Sequence, residues 1–244
     1  MDFKLKEVYK FIYKRKSVRQ YRMEGLKSET LAEIEDFIKN ITPLHDEIRV
    51  NYKIVTETKN LLPVKAPHYI LIYSEEKDGY LNNVGFMFQQ LDLYLSSRGL
   101  GSCWLGMAKP KDKADDKKDF VISMGFGEAL DNPYREISEF KRKPAEEVYS
   151  GIDERSEAAR LAPSASNSQN WFFDKQNDKI HVYQKSINAL QNVLYGKMNQ
   201  IDIGIALCHM YIVSLQNGMS FEFIKDVNHK EVKGFNYIGT VYQE

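Results

Sequence analysis

Three short stretches of this chain carry side chains suited to chemistry. The first is "RKSVR", in which Arg15, Lys16, Ser17 and Arg19 fall within five residues. Guanidinium forks, a hydroxyl and backbone N–H groups are what a phosphate monoester would need, although a solvated basic turn has the same composition. The second, "RGLGSCWLG" (residues 98–106), holds three glycines in its last eight positions. Glycine lets backbone approach something flat, but Gly99 has the plainer role of closing a helix. No Gly-Lys-Ser/Thr follows, so it is not a P-loop, and it is not a dinucleotide fingerprint. The third, "LAPSASNSQNWFF" (residues 161–173), sets Ser164, Ser166, Asn167 and Gln169 ahead of three aromatics. Their compact donors and acceptors can read the edge of a polar heterocycle; a capped loop entering a strand is the alternative.

The elements around these stretches follow from hydrophobic spacing. Residues 3–13 are expected to form an amphipathic helix, with Phe3, Val8, Phe11 and Ile12 on one side. A second helix is expected from Ser28 as N-cap, through Leu31, Ile34, Phe37 and Ile38, ending before Pro43. Strands are read at 48–55, 68–74, 120–127, 171–173, 179–184 and 234–242. A short helix precedes the 161–173 loop. Two strongly apolar helices end on Gly99 and Gly218, as left-handed C-caps would require. The charge run at 109–119 reads as a solvated loop.

The two halves of the chain resemble each other. Val84-Gly85 and Ile203-Gly204 are 119 positions apart, as are Gly99 and Gly218, and Pro43 and Pro163 are 120 apart. The strand "FVISMGFG" has a counterpart in "FNYIGTVY". This spacing suggests a tandem duplication of an α+β unit, divided as residues 1–150 and 151–244. Each apolar helix should then be buried where the copies meet, and the chain would act as a dimer made of one polypeptide.

Lys plus Arg equals Asp plus Glu at 34 each, so no bulk field points to nucleic acid or membrane, and any anion site must be local. Cys103 and Cys208 form no CxxC and no disulfide framework. The lysine-rich N-terminus lacks the apolar core of a signal peptide, and a reducing cytoplasm is the simplest setting. The five histidines show no metal spacing, His209 reads as a satisfied core residue, and no catalytic acid, base or metal ligand stands out.

Taken together, the three stretches resemble the FMN-dependent nitroreductase family, in its single-chain form. "RKSVRQY" is similar to that family's N-terminal Arg-(Arg/His)-Ser-x-(Arg/Lys) motif, "APSASNSQNW" to its Pro-Ser-x-x-Asn-x-Gln-Pro-Trp motif, and "GLGSCWLG" to its third signature. "FKRKPAEEV" (140–148) is similar to its basic-Pro segment. The order differs from ordinary members, because here the Pro-Ser motif follows the Gly-rich one; duplication would explain this. Half one keeps the basic and Gly-rich motifs, half two keeps the Pro-Ser motif, and one flavin site per chain results.

The resemblance implies an α+β nitroreductase-like fold with antiparallel or mixed sheets, FMN as cofactor, and NADH or NADPH as electron donor. The partner would be a flat small-molecule acceptor such as a nitroaromatic or quinone, reduced in a ping-pong cycle. It implies no nucleic-acid or membrane partner, and a monomer. Arg15, Ser17 and Arg142 would hold the phosphate beside Lys16, and Arg19 would lie near the pyrimidine edge. The Leu105 N–H, beside Gly106, would face the ring nitrogen that receives hydride. Ser164, Ser166, Asn167 and Gln169, framed by Pro163 and Ala165, would meet the ribityl chain and ring from the other half. The family's Pro before Trp is replaced by Asn170. A flavin store or sensor without turnover is the competing reading.

Overall fold

The computed structural model describes residues 7–61, 63–111 and 119–242. Phe3 and most of the 109–119 charge run lie outside the described residues. The described part of the first expected helix is helical at residues 7–8 and continues as a 3-10 turn, Tyr9–Tyr13, burying Phe11 and Ile12. Helix α1 (Ser28–Lys39) turns Ile34, Phe37 and Ile38 inward. Its cap differs from expectation: Ser28 is the first helical residue, and Lys27 holds the cap position without a side-chain hydrogen bond.

Strands β1 (Val50–Val55), β2 (Lys59–Asn60) and β3 (His68–Ser74) precede helix α2 (Tyr80–Ser97). Then come β4 (Gly101–Leu105), β5 (Ala108–Lys109), β6 (Phe120–Gly127) and β7 (Tyr149–Ser150). After helix α3 (Glu154–Arg160), β8 (Trp171–Gln176) and β9 (Lys179–Lys185) lead to the long helix α4 (Ala189–Gln216). The described chain closes with β10 (Glu222–Ile224) and β11 (Phe235–Tyr242).

The main strands form two sheets. One has the order β1-β3-β6-β4, antiparallel throughout. The other has the order β10-β11-β9-β8-β7, antiparallel except for β7, which runs parallel to β8. Written by connectivity, both are two paired strands, a helix, and two more strands, with the fourth inserted between the second and third. Residues 149–150 therefore join the sheet formed mainly by the second half.

Both long helices end alike. Gly99 and Gly218 have φ of 76° and 68°. Leu100 N–H bonds to the Leu95 carbonyl, and Met219 N–H to that of Ser214, each at 2.9 Å. Glycine is required there because a left-handed residue ends the helix while satisfying its last carbonyls. Helix α4 begins well before its apolar run: Asn188 and Gln191 form a reciprocal capping box. By length and composition Tyr195–Gln216 could cross a membrane, but most of that window is buried inside the protein.

Helices α2 and α4 pack against each other at the centre of one continuous apolar core. Their crossing is set by two glycines. A Cβ on Gly85 would lie 2.1 Å from the Ile201 carbonyl oxygen, and one on Gly204 would lie 2.0 Å from that of Asn82. The contacts are reciprocal, since Gly85 sits three residues after Asn82 and Gly204 three after Ile201. Only absent side chains let the backbones meet this closely.

Candidate functional site

The basic N-terminal segment runs beside the Gly-rich strand. Ser17 bridges in parallel to Ser102 of β4, and Val18 N–H bonds to the Ser102 carbonyl at 2.9 Å. Gly101 makes this possible, because a Cβ there would fall 2.7 Å from the Val18 side chain. Strand β4 was not anticipated from sequence; its five residues directly follow the helix-ending glycine, where the glycines obscure any strand pattern.

The third stretch folds as a tight loop over the start of β8. Ser166, Asn167 and Gln169 all have positive φ, at 52°, 55° and 48°. Such conformations cost non-glycine residues about 1–2 kcal/mol each and persist only where surroundings impose them. The restraints are visible. Asn167 accepts from Arg142 Nη1 at 2.7 Å and donates to the Lys141 carbonyl at 2.8 Å. Gln169 Oε1 accepts from Lys143 N–H at 2.7 Å, and Ser164 Oγ accepts from Gln169 N–H at 3.0 Å. Asp202 of α4 accepts from Ala165 N–H with both carboxyl oxygens, at 3.1 and 3.0 Å.

These pieces enclose a cavity of about 600 Å³. Ser17 and Arg19 line it from the first stretch, Cys103 to Gly106 from the second with Met107 just after it, and Pro163, Ser164, Ala165 and Ser166 from the third. Val64, Ile122, Ile201 and Ile205 supply apolar wall, with Tyr195, Met198 and Asp202 from α4. Arg19, Gly106 and Ser166 are exposed, so the cavity opens to solvent at its rim. Burial raises the Cys103 thiol's pKa, which leaves it a packed thiol and not a thiolate.

Five expected residues do not line this cavity. Arg15 is 1% exposed and turned into the core, with Nε 2.8 Å from Asp92 Oδ2. Asp92 also accepts from Ser102 Oγ at 2.5 Å and from Gln89 Nε2 at 2.9 Å. Gln89 in turn accepts from Trp104 Nε1 at 3.2 Å and lies 3.2 Å from His209 Nε2. His209 Nδ1 lies 2.8 Å from the Ala158 carbonyl, so Nδ1 carries the proton and the ring is neutral; burial pushes its pKa down to about 3. His209 is thus the satisfied core residue expected, inside a network that ties the two halves. Lys16 is half-buried outside the cavity. Arg142, Asn167 and Gln169 sit behind the loop. Trp104 lines the cavity, whereas Trp171 is buried in the core.

A cationic cluster links the first stretch to the third. Arg135 donates from Nε to the Arg15 carbonyl at 2.9 Å and stacks 3.9 Å above the Phe140 ring. Arg142 lies 5.4 Å from the same ring and donates to the Leu161 carbonyl at 2.9 Å. Burial, then the neighbouring arginines, push Arg142 down to about 9; burial, with Arg15 next, pushes Arg135 to about 10. Positive charge is under-compensated here, which favours an anion. Among the described residues, Arg15 Nη1 and Arg142 Nε are buried without hydrogen-bond partners, which leaves their positive charge little offset. Arg135 was missed from sequence because "NPYREI" resembles no motif; only its position reveals it.

Residues 7–214 match a protein family described as "Putative TM nitroreductase". No curated protein matches the chain. Among solved structures, a putative nitroreductase from Thermotoga maritima is similar over 97% of this chain and 92% of its own, at 18% identity and a TM-score of 0.68. A nitroreductase with bound FMN from Desulfitobacterium hafniense covers 60% of this chain and 98% of its own, at 13% identity and a TM-score of 0.46. An FMN-dependent nitroreductase from Clostridium difficile covers 54% and 93%, at 16% identity and 0.42. The full-length likeness is one of fold, and the α+β nitroreductase-like fold expected from sequence is the fold observed.

Proposed function

The chain belongs to the Putative TM nitroreductase family, a family of oxidoreductases, and from there we propose that it binds one FMN and reduces flat acceptors such as nitroaromatics or quinones at the expense of NADH or NADPH, in the cytoplasm and as a single-chain pseudo-dimer. One observation carries this reading. Three stretches far apart in sequence meet around a single cavity of about 600 Å³, within the usual range for small-ligand sites. The donor set fits the cofactor: an apolar slot for a ring system, hydroxyls and a guanidinium at its edges, and a cluster of arginines behind the loop whose charge favours an anion.

Bound FMN would supply hydride chemistry. The chain's own residues bind and orient. Arg135 and Arg142 would draw the phosphate by charge from behind the loop, with Ser17 presenting its hydroxyl. Arg15 would act mainly by fixing β4 and the first stretch through Asp92. Arg19 would hold an acceptor-side edge by charge. Ser164 and Ser166 would meet the ligand from the opposite wall, in a loop already strained into shape. Preorganisation of this kind lowers the ordering cost of binding.

The test is direct. Freshly purified protein should carry close to one flavin per chain by its visible spectrum. Anaerobic NADH or NADPH should bleach it, and a quinone should restore the colour. Protein that stays colourless after dialysis against FMN rejects the reading, and persistent yellow colour with both donors favours a flavin store instead.

A further inference from the structure

The duplicated architecture offers an internal control on one carboxyl group. With the offset of 119, Asp202 of α4 corresponds to Asn83 of α2, and with the offset of 120 the loop residue Ala165 corresponds to His45. The contacts correspond too. Asn83 Oδ1 accepts from the N–H groups of Leu44 and His45 at 2.8 and 3.1 Å. Asp202 accepts from Ala165 N–H. Tying the loop to the helix therefore needs only a neutral acceptor, and an amide performs that task at the loop that does not line the cavity. The other half uses a carboxyl, and that carboxyl lines the cavity.

We propose that Asp202 is the proton donor of this site, delivering to the acceptor the proton that must accompany hydride. The proposal rests on the oxidoreductase reading above. Reduction of a quinone or similar acceptor adds one hydride, from the reduced flavin, and one proton. The Asp202 O–H bond breaks as an O–H bond forms on the acceptor oxygen. The carboxylate left behind is reprotonated from water entering at the open rim.

The surroundings suit the role. Burial raises the Asp202 pKa from 3.8 to about 8, partly offset by the Ala165 N–H, so the carboxyl is protonated at neutral pH and can return a proton readily. Among the described residues it accepts from Ala165 and donates to no other side chain. The titratable groups sharing the cavity are Arg19 from the N-terminal segment, Cys103 from β4 and Tyr195 from α4 itself. Helix α2 faces this turn with the neutral Asn82 and Gly85.

Asp202→Asn keeps the acceptor for Ala165, as Asn83 does for its own loop, and removes the proton. In flavin-free protein, infrared spectra between about pH 6 and 10 should show a carboxylic C=O band that titrates near the Asp202 value and is missing from the variant. In flavin-loaded protein, reduction by the nicotinamide should change less than about threefold while reoxidation by a quinone slows by about 10²–10⁴-fold. No titrating band, or unchanged reoxidation in protein that turns over, overturns the proposal alone. Protein that takes up no flavin overturns the oxidoreductase reading and this proposal with it. Should the variant fail to fold, the unaltered protein decides: reoxidation must slow as pH rises past the Asp202 value, and a flat profile overturns the assignment.

Discussion

The cavity and the space formed by the residues 119 positions away lie in sheets of like connectivity, and they are filled differently. Ile205 forms cavity wall, whereas Phe86, its partner at the same offset, is buried against Phe221 and Tyr211, with ring centroids 5.9 and 5.2 Å away. The Gly-rich strand leaves space beside Trp104. Its counterpart carries Phe221 and Phe223, and the latter presses so closely on Gly239 that a Cβ there would lie 2.4 Å from its ring. Asp92 anchors Arg15 and Ser102, while the corresponding Tyr211 packs its ring on Phe86 and Phe221. One frame thus supports an open, largely apolar pocket with Arg19 at its rim on one side and an aromatic plug on the other. The backbone needs only the glycine crossing and the matching helix ends; what occupies the space depends on a few side chains.

The strongest way to break this contrast is at its charged anchor. Arg15→Ala would leave Asp92 buried without its ion-pair partner, and should destabilise the protein by about 3–5 kcal/mol, read by chemical denaturation. A loss confined to flavin affinity, with stability intact, would instead return Arg15 to a direct phosphate role. Next come the shared elements: Gly85→Ala and Gly204→Ala should each cost about 3 kcal/mol, at the upper end of overpacking effects, and by similar amounts. Clearly unequal losses would show that the two helices do not meet as equivalents.

Two smaller changes sharpen the comparison. Arg142→Ala should weaken FMN binding by about 1.5–3 kcal/mol, the size of hydrogen bonds to a charged group, in a fluorescence titration; unchanged affinity would move the phosphate elsewhere. Asn83→Asp should place a carboxyl beside the aromatic-filled space, under the loop at Leu44 and His45. Burial would raise its folded-state pKa above the unfolded value, so stability present at low pH is lost as pH rises through the folded value. We expect a loss of about 1.5 kcal/mol between pH 5 and 9, smaller than full burial would give because two N–H groups serve the oxygen. Equal destabilisation at both pH values would mean that the position tolerates charge.

Ser17, Arg19, Ser164 and Ser166 were singled out by residue type, and Leu105, Gly106, Pro163 and Ala165 by the family resemblance. The structure brings them to one cavity. Asp202 was passed over, although the offset that relates Gly85 to Gly204 also relates Asn83 to Asp202, and an acid set among apolar helix residues was a usable signal. Asp92 gave the same signal. Arg135 gave none, because an arginine after a turn is ordinary until its neighbours are known. The first expected helix tightens to 3-10 geometry at Tyr9–Tyr13, and Ser28 begins its helix one position after the cap it was expected to form.

By itself the sequence determined the local elements: apolar periodicity and glycines act through contacts a few residues away, and these survive in any window of the chain. Only the tertiary structure decided which of two equivalent spaces stays open and which arginine faces it. Those outcomes depend on side chains more than a hundred positions apart competing for one volume and one set of charges.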